Sequence, residues 1–290
     1  MKPVRKAVLP VAGFGTRVLP GTKTVAKELL NVVDRPILSY VVAEARAAGI
    51  EHFVFITGRG KGAIEDYFDH QVELELALES KGKTALLDEL KAELPKEGEM
   101  SFIRQMNPHG LGHAVWCARD VIGDEPFAVL LPDVIMDAEP GALAQLTAAY
   151  NKVGGNVILV DPCPEGEAHK YGVVALDGQN GLLNKMTGMV EKPPKGTEPS
   201  NLAISGRYIL QPEIFQILQE KERGAGNEIQ LTDAMAKLMK VQSFHALEYE
   251  GAIYDCGDKI GLLRANVALA LKRPDLGAAA RTAVEALLKA

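Results

Sequence analysis

Behind the apolar run Ala7-Val8-Leu9-Pro10-Val11-Ala12 the chain continues Gly13-Phe14-Gly15-Thr16-Arg17, and two further cations, Lys23 and Lys27, follow closely. Glycines at the end of a buried strand let backbone approach a ligand and turn successive N–H groups toward an anion. A dinucleotide fingerprint would need a third glycine where Val18 stands. A phosphate-binding P-loop fails as well: its nearest match, Gly82-Lys83-Thr84, has Ala77 in place of the first glycine. Three cations beside a glycine turn suit a nucleoside triphosphate, which spreads about four negative charges over three phosphates. The same stretch also reads as a tight turn with surface Lys and Arg.

Two aspartates have matching surroundings. Phe127–Leu131 runs into Pro132-Asp133, and Ile253-Tyr254 runs into Asp255-Cys256-Gly257. Each places a carboxylate just past an apolar strand, at the edge where open α/β sheets bind ligands. Alone, either Asp reads as a turn or capping residue. Together with phosphate oxygens, two carboxylates suit a hard, near-octahedral Mg²⁺. The six His are scattered and give no zinc-type spacing.

The elements that must position these groups follow from the apolar pattern. Unbroken apolar runs at 7–12, 53–57, 127–131 and 157–160 suit strands covered on both faces. Between the first two, Ile37, Leu38, Val41, Val42 and Ala45 fall at helical spacing over Pro36–Ala48, with Asp34 as cap and Gly49 as terminator. Strand–helix–strand repeated in this way predicts an α/β fold, a doubly wound and mostly parallel sheet. Residues 70–94 predict a charged, solvated helix. Tyr171–Leu176, Gly181–Val190 and Leu202–Leu210 predict an antiparallel β insertion, and helices return at Pro212–Gln219, Glu228–Met239, Lys259–Leu271 and Ala278–Leu288.

Composition narrows the function classes. The 290 residues carry 32 Lys+Arg against 38 Asp+Glu, a net charge of −6. That balance argues against a partner that is long nucleic acid, which wants a basic face, but leaves room for a local cationic pocket. No apolar run reaches the roughly 18–20 residues of a membrane span, so no membrane partner is expected. The start, MKPVRKAVLPVAGFG, meets Pro and Gly too soon for a signal-peptide core. Cys117, Cys163 and Cys256 form no CxxC pair and suit reduced thiols in a cytoplasmic protein.

Taken in order, Val11–Arg17, Lys27-Glu28, Gly110-Leu111-Gly112-His113-Ala114, Leu131-Pro132-Asp133, Tyr171-Gly172-Val173-Val174, Val190-Glu191-Lys192-Pro193, Ser200–Ile204, Glu228–Asp233 and Asp255-Cys256-Gly257 form a recognisable series. The series resembles the bacterial UTP–glucose-1-phosphate uridylyltransferases, among the sugar-1-phosphate nucleotidylyltransferases. The resemblance implies one nucleotidyltransferase-A-type domain over 1–290. Its nucleotide-binding part spans about 5–160, its sugar-binding β insertion about 165–210, and C-terminal helices at about 258–290 are candidates for oligomerisation, as a homodimer or homotetramer. It implies Mg²⁺-dependent transfer from UTP to glucose 1-phosphate. By motif, backbone at Ala12 and Gly13, with Glu28, Gln105 and Gly112, holds the uridine, and Gly15 and Thr16 of the same loop bind substrate. Arg17 and Lys27 hold the triphosphate, Gly172 and Glu191 the glucose hydroxyls, Lys192 the sugar phosphate, and Asp133 and Asp255 the metal.

Two departures from the family pattern stand out: Ala26 precedes Lys27 where proline is usual, and Met106 follows Gln105 where glycine is usual. A thymidylyltransferase on the same sugar phosphate is the alternative enzyme, since a thymine methyl changes binding by only about 1–3 kcal/mol. A non-catalytic sugar-nucleotide-binding regulator is the alternative of another class. The mechanism needs no general base, because the attacking phosphate oxygen is already ionised. Whether Glu191 and Lys192 face one pocket is open: neighbours in an extended strand point apart, and a turn at Pro193-Pro194 can bring them together.

Overall fold

The computed structural model describes residues 1–289. Its first half contains β1 (Lys6–Pro10), β2 (Asn31–Val32), β3 (Arg35–Pro36), α1 (Ile37–Ala47), β4 (His52–Thr57), α2 (Gly62–Tyr67), α3 (Val72–Ser80), α4 (Thr84–Ala92) and β5 (Met100–Arg104). Next come α5 (Leu111–Cys117), α6 (Arg119–Ile122), β6 (Phe127–Leu130), β7 (Val134–Asp137), α7 (Ala142–Val153) and β8 (Asn156–Pro162). The remainder holds β9 (Gly172–Leu176), β10 (Leu183–Glu191), β11 (Leu202–Leu210), α8 (Ile214–Leu218), α9 (Leu231–Leu238), β12 (Phe244–Glu248), β13 (Ala252–Asp255), α10 (Lys259–Lys272) and α11 (Gly277–Leu288).

Nine strands form one sheet in the order β5-β4-β1-β6-β11-β8-β12-β10-β9. The pairs β5–β4, β4–β1, β1–β6 and β8–β12 are parallel, and the other four neighbour pairs are antiparallel. Only β10 and β11 run against the rest. The predicted antiparallel insertion is therefore no separate layer: β11 lies between β6 and β8 in the middle of the sheet, and β9 and β10 extend its far edge. Apolar residues alternate between two cores. Ala7, Leu9, Phe53 and Phe55 face α1 and α7, while Val8, Val54, Ile56 and Val129 face α5, α8 and α9. Burial on both faces is why these strands read as unbroken apolar runs.

Some local expectations change. The charged stretch is two helices, α3 and α4, broken at Gly82, and α3 buries no residue. Asp34 does not cap α1, which starts after Pro36 without a side-chain cap; its carboxylate instead accepts from Arg273 at 2.5 Å. The cap that does form is Asp258, whose side chain accepts from Ile260 N and Gly261 N at the start of α10. Strand β12 was not foreseen, nor were the short pair β7 and β13 as partners. They form their own two-stranded antiparallel sheet, with Asp255 opposite Val134.

One buried ion pair fixes the turn behind the glycine loop. Glu28, in the 3-10 turn Lys27–Leu29, accepts from Lys61 Nζ at 2.7 Å, and their side chains are 0% and 8% exposed. Among the described residues Glu28 Oε1 has no hydrogen-bond partner. Burial pushes the Glu28 carboxyl above its ordinary value; the charges of Lys61 and Lys27 pull it back only in part. Removing Lys61 must raise it further, and a carboxyl raised on folding loses stability progressively as pH climbs above its unfolded value. Lys61→Met is expected to destabilise by about 3–5 kcal/mol at pH 8, with a smaller deficit near pH 5. Adding Glu28→Gln should remove that pH dependence. Urea unfolding at the two pH values checks this; a Lys61→Met deficit that does not grow with pH contradicts it.

Candidate active site

Strands β1, β4 and β6 are parallel, so their carboxyl ends meet at one edge of the sheet. The glycine loop leaves β1 there: Val11 N donates to Ile56 O at 2.9 Å, which carries the β1–β4 pairing one residue into the loop. Gly15 then takes φ 65°, and a Cβ there would stand 2.9 Å from Lys27 Cβ. The loop is thus draped along the Lys27 side chain, which only a glycine in this conformation permits. Thr22 Oγ1 donates to Gly15 O at 2.7 Å and holds the turn. Arg17 sits in the short 3-10 turn Thr16–Val18.

Beneath the loop the two predicted aspartates come together. Asp133 follows β6 and Asp255 ends β13; the β7–β13 ladder and the bond from Cys256 N to Asp133 O, 2.8 Å, join their backbones. Lys27 Nζ donates to Asp133 Oδ2 at 2.6 Å. Arg17 spans both carboxylates, 3.1 Å from Asp255 Oδ2 and 3.6 Å from Asp133 Oδ2. Burial pushes the Asp133 carboxyl up, but Lys27 and Arg17 outweigh it and hold the group below the ordinary carboxylate range. The reciprocal effect holds Lys27 above its ordinary value against the burial that disfavours its charge. Both groups are therefore ionised at neutral pH.

The donor set suits a hard divalent cation. A Cβ on Gly257 would stand against Arg17 NH2, 2.7 Å from Asp133 Oδ2 and 2.8 Å from Asp255 Oδ1, so both carboxylates and the Arg17 guanidinium converge where the side chain is missing. The two carboxylates supply oxygen, the ligand type that Mg²⁺ prefers, and Arg17 is the cation that stands between them here. Among the described residues no three His, Cys, Asp or Glu side chains gather as a metal cage. Two carboxylates completed by substrate phosphates and water is the usual pattern for a nucleotide-bound Mg²⁺.

A second group lies across the sheet edge. Ala203 pairs with Asp161 on β8 and with Val173 on β9, which brings the Gly172 end of β9 to the carboxyl end of β8. Lys192 takes φ 46°, and its N–H donates to Tyr171 O at 2.9 Å. This left-handed residue breaks the strand alternation, so Glu191 and Lys192 turn to the same side, with Lys192 Nζ 3.6 Å from Glu191 Oε1. The question left open by the sequence is answered by Lys192 itself rather than by the two prolines. Glu191 Oε2 accepts from Thr232 Oγ1 at 2.7 Å and lies against Gly172. The Tyr171 hydroxyl is pushed up by burial and then by the charge of Asp255, within whose electrostatic reach it lies.

On the nucleotide side Gln105 follows β5, its N–H donating to Thr57 O at 2.8 Å. Its Nε2 donates to Gly110 O at 3.3 Å and to His113 Nδ1 at 2.9 Å. Burial, then His109 and Lys221, keeps His113 below the ordinary imidazole value, so its ring is neutral and accepts that bond. His113 thus orients Gln105. Gly112 N already donates to Ile229 O at 2.8 Å, and Met106 is largely exposed. Ala12 is half-buried and Glu28 is buried with Lys61 as described above.

Lys61 and Thr232 escaped sequence reasoning. Lys61 follows Gly58-Arg59-Gly60 at the end of β4, the same strand-then-glycine signal that marked the first loop. Thr232 lies in the quoted Glu228–Asp233 block, where nothing local shows that it reaches Glu191 41 residues away.

The chain matches the family model for nucleotidyl transferases over residues 6–271. It is 50% identical over 276 residues to a UTP–glucose-1-phosphate uridylyltransferase of Bacillus subtilis (strain 168), covering 95% of this chain and 94% of that protein. The fold matches a UTP-bound UGPase from Acinetobacter baumannii with a TM-score of 0.90 at 41% identity, over 97% of this chain and 98% of that one. It also matches a UDP-glucose pyrophosphorylase complexed with UDP-glucose, with a TM-score of 0.83 at 39% identity, over 93% of this chain and 100% of the other. A glycine loop over paired carboxylates and cations, within an α/β fold shared along nearly the whole chain, bears out the resemblance read from the motifs: the chain belongs to the UTP–glucose-1-phosphate uridylyltransferase family of nucleotidyl transferases.

Proposed function

We propose that the protein transfers the uridylyl group of UTP to α-D-glucose 1-phosphate, giving UDP-glucose and pyrophosphate. The observation that carries this reading is the cluster of Arg17, Lys27, Asp133 and Asp255 beneath the glycine loop. A sugar phosphate oxygen attacks the α-phosphorus of UTP, a P–O bond forms, and the bond from that phosphorus to the bridging oxygen breaks as pyrophosphate departs. The attacking oxygen is ionised at neutral pH, so no side chain has to remove a proton.

Bringing two polyanions together is the difficulty, and cations held in place are the remedy. Lys27 and Arg17 take the triphosphate, exchanging carboxylate partners for phosphate oxygens. Backbone of Ala12 and Gly13 lines the uridine, and Gly15 and Thr16 contact substrate from the same loop. Gln105, aligned by His113, reads the base beside Gly112, while Glu28, buried against Lys61, acts from beneath by fixing the turn that carries Lys27. Glu191, braced by Thr232, holds glucose hydroxyls beside Gly172, and Lys192 holds the sugar phosphate. Asp133 and Asp255 would hold a Mg²⁺, which would supply charge neutralisation at the reacting phosphates. In this reading the chain is one domain over 1–290, with a nucleotide part at about 5–160 and a sugar part at about 165–210. The helices of about 258–290 are the oligomer contact, in keeping with α11, which buries no residue and exposes Leu287 and Leu288. Among the described residues no helix is long and apolar enough to cross a membrane, which accords with a cytoplasmic enzyme.

Pyrophosphate release from UTP, dTTP, CTP, ATP and GTP with glucose 1-phosphate and Mg²⁺ tests the assignment. UTP is expected to be used fastest; fastest turnover with dTTP, or none with any of the five, overturns it. Lys192→Ala should lower kcat/KM for glucose 1-phosphate by about 2–4 kcal/mol, the scale of a charge-assisted phosphate contact, and affect UTP far less. Steady-state kinetics with each substrate varied in turn checks this. An equal rise in both KM values at unchanged kcat refutes the role of Lys192.

A further inference from the structure

The only fully buried arginine side chain among the described ion pairs lies away from every phosphate contact assigned above. Arg207, on β11, is 0% exposed, and its partner Glu44, on α1, is 7% exposed. Arg207 Nε donates to Glu44 Oε1 at 3.0 Å and NH2 to Glu44 Oε2 at 2.7 Å, a two-pronged pairing. The remaining bonds go to backbone: NH1 donates to Leu131 O at 3.1 Å and NH2 to Val134 O at 2.9 Å. These two carbonyls bracket Pro132-Asp133. We infer that Arg207, held by Glu44, is a positioning residue that fixes the Leu131–Val134 turn and so aims the Asp133 carboxylate at the reaction centre. This rests on the role proposed for Asp133.

The surrounding structure is built to deliver Arg207 to that turn. Register between β11 and β8 shifts between Ile204 and Tyr208, and Gly206 within the shift takes φ 84°. Gly206 O accepts from Leu131 N at 2.9 Å, so β11 grips the turn on its backbone side too. The next residue, Arg207, shares a face with Ile209, the side on which α1 and α7 pack. Glu44 Oε1 accepts not only from Arg207 but from Leu143 N in the first turn of α7, at 3.0 Å. Its carboxylate is therefore anchored from two sides, one of them a helix N-terminus that favours negative charge.

A buried ion pair is weak evidence for stability, because desolvation offsets much of its attraction. What the guanidinium supplies is a rigid planar fork that holds a carboxylate and two carbonyls at once, and an ammonium cannot. Arg207→Lys keeps the charge and loses the fork. It therefore separates positioning from charge.

The test combines Arg207→Lys, Asp133→Asn and the double variant, each checked by thermal melting. Two quantities are read: kcat, and the affinity for Mn²⁺ in the presence of UTP, followed by loss of the free-ion electron paramagnetic resonance signal. Arg207→Lys is expected to lower kcat and Mn²⁺ affinity by about 10–100-fold, the range for residues that orient metal ligands, with KM for UTP changed by no more than about twofold. Adding it to Asp133→Asn should cost little more, because both act through one carboxylate. Wild-type kcat and Mn²⁺ affinity in folded Arg207→Lys, or losses that multiply fully in the double variant, overturn the inference. If Asp133→Asn alone leaves both quantities unchanged, the role of Asp133 falls and this inference with it. Should Arg207→Lys fail to fold, Glu44→Gln takes its place, with a loss of about tenfold in both quantities expected; wild-type values there overturn the proposal equally.

Discussion

Two carboxylates and two cations packed under a glycine loop are the constraint around which the rest of this molecule is arranged. Asp133 and Asp255 converge with Arg17 beside Gly257, and two uncompensated carboxylates there would repel. Lys27 and Arg17 remove that penalty from above, with Lys27 at 2.6 Å from Asp133 and Arg17 reaching both carboxylates. In the proposed reaction each cation becomes a phosphate ligand. The cluster is balanced in charge without substrate, and it can exchange carboxylate oxygens for phosphate oxygens without any group becoming unpaired.

Holding that balance demands rigid support from distant parts of the chain. Lys27 is enclosed by the glycine loop, and its neighbour Glu28 is pinned to Lys61 in the interior. Asp133 sits on a turn gripped by Arg207, which Glu44 of α1 holds in place. Asp255 is placed by the short β13–β7 ladder, and capping by Asp258 starts α10 immediately behind it. Thus α1, β4, β11 and β13, far apart in sequence, all end their side-chain networks at one edge of the sheet. Sheet and helices are stiff elements, and a site whose geometry must hold within about 0.5 Å belongs on such elements.

Much of this was legible in the residues themselves. The apolar runs marked β1, β4, β6 and β8 because burial on both faces leaves no alternation, and the glycines, cations and strand-end aspartates marked the site. What escaped was whatever depends on pairing across long separations. The short strands β7 and β13 each span four residues and acquire meaning only as partners. The expected β insertion turned out to be continuous with the main sheet, because β11 inserts between β6 and β8, a pairing that no local pattern encodes. Lys192 was seen as a cation; its left-handed backbone, which turns Glu191 and Lys192 to one side, is rare for a non-glycine residue and has no sequence signal. Arg207 stands in an apolar strand, where its type alone does not tell a buried clamp from an edge residue.

Asp133 and Asp255 are proposed to share one cation at the point where Lys27 and Arg17 hand over to phosphate. A crystal structure of the protein with UTP and Mg²⁺ tests it most directly, by the position of the metal and of Lys27 Nζ. Mg²⁺ is expected bound by both carboxylates at about 2.0–2.1 Å, with Lys27 Nζ withdrawn from its 2.6 Å contact with Asp133 Oδ2 onto a phosphate oxygen. A metal held by the phosphates alone, with Lys27 still on Asp133, would contradict it.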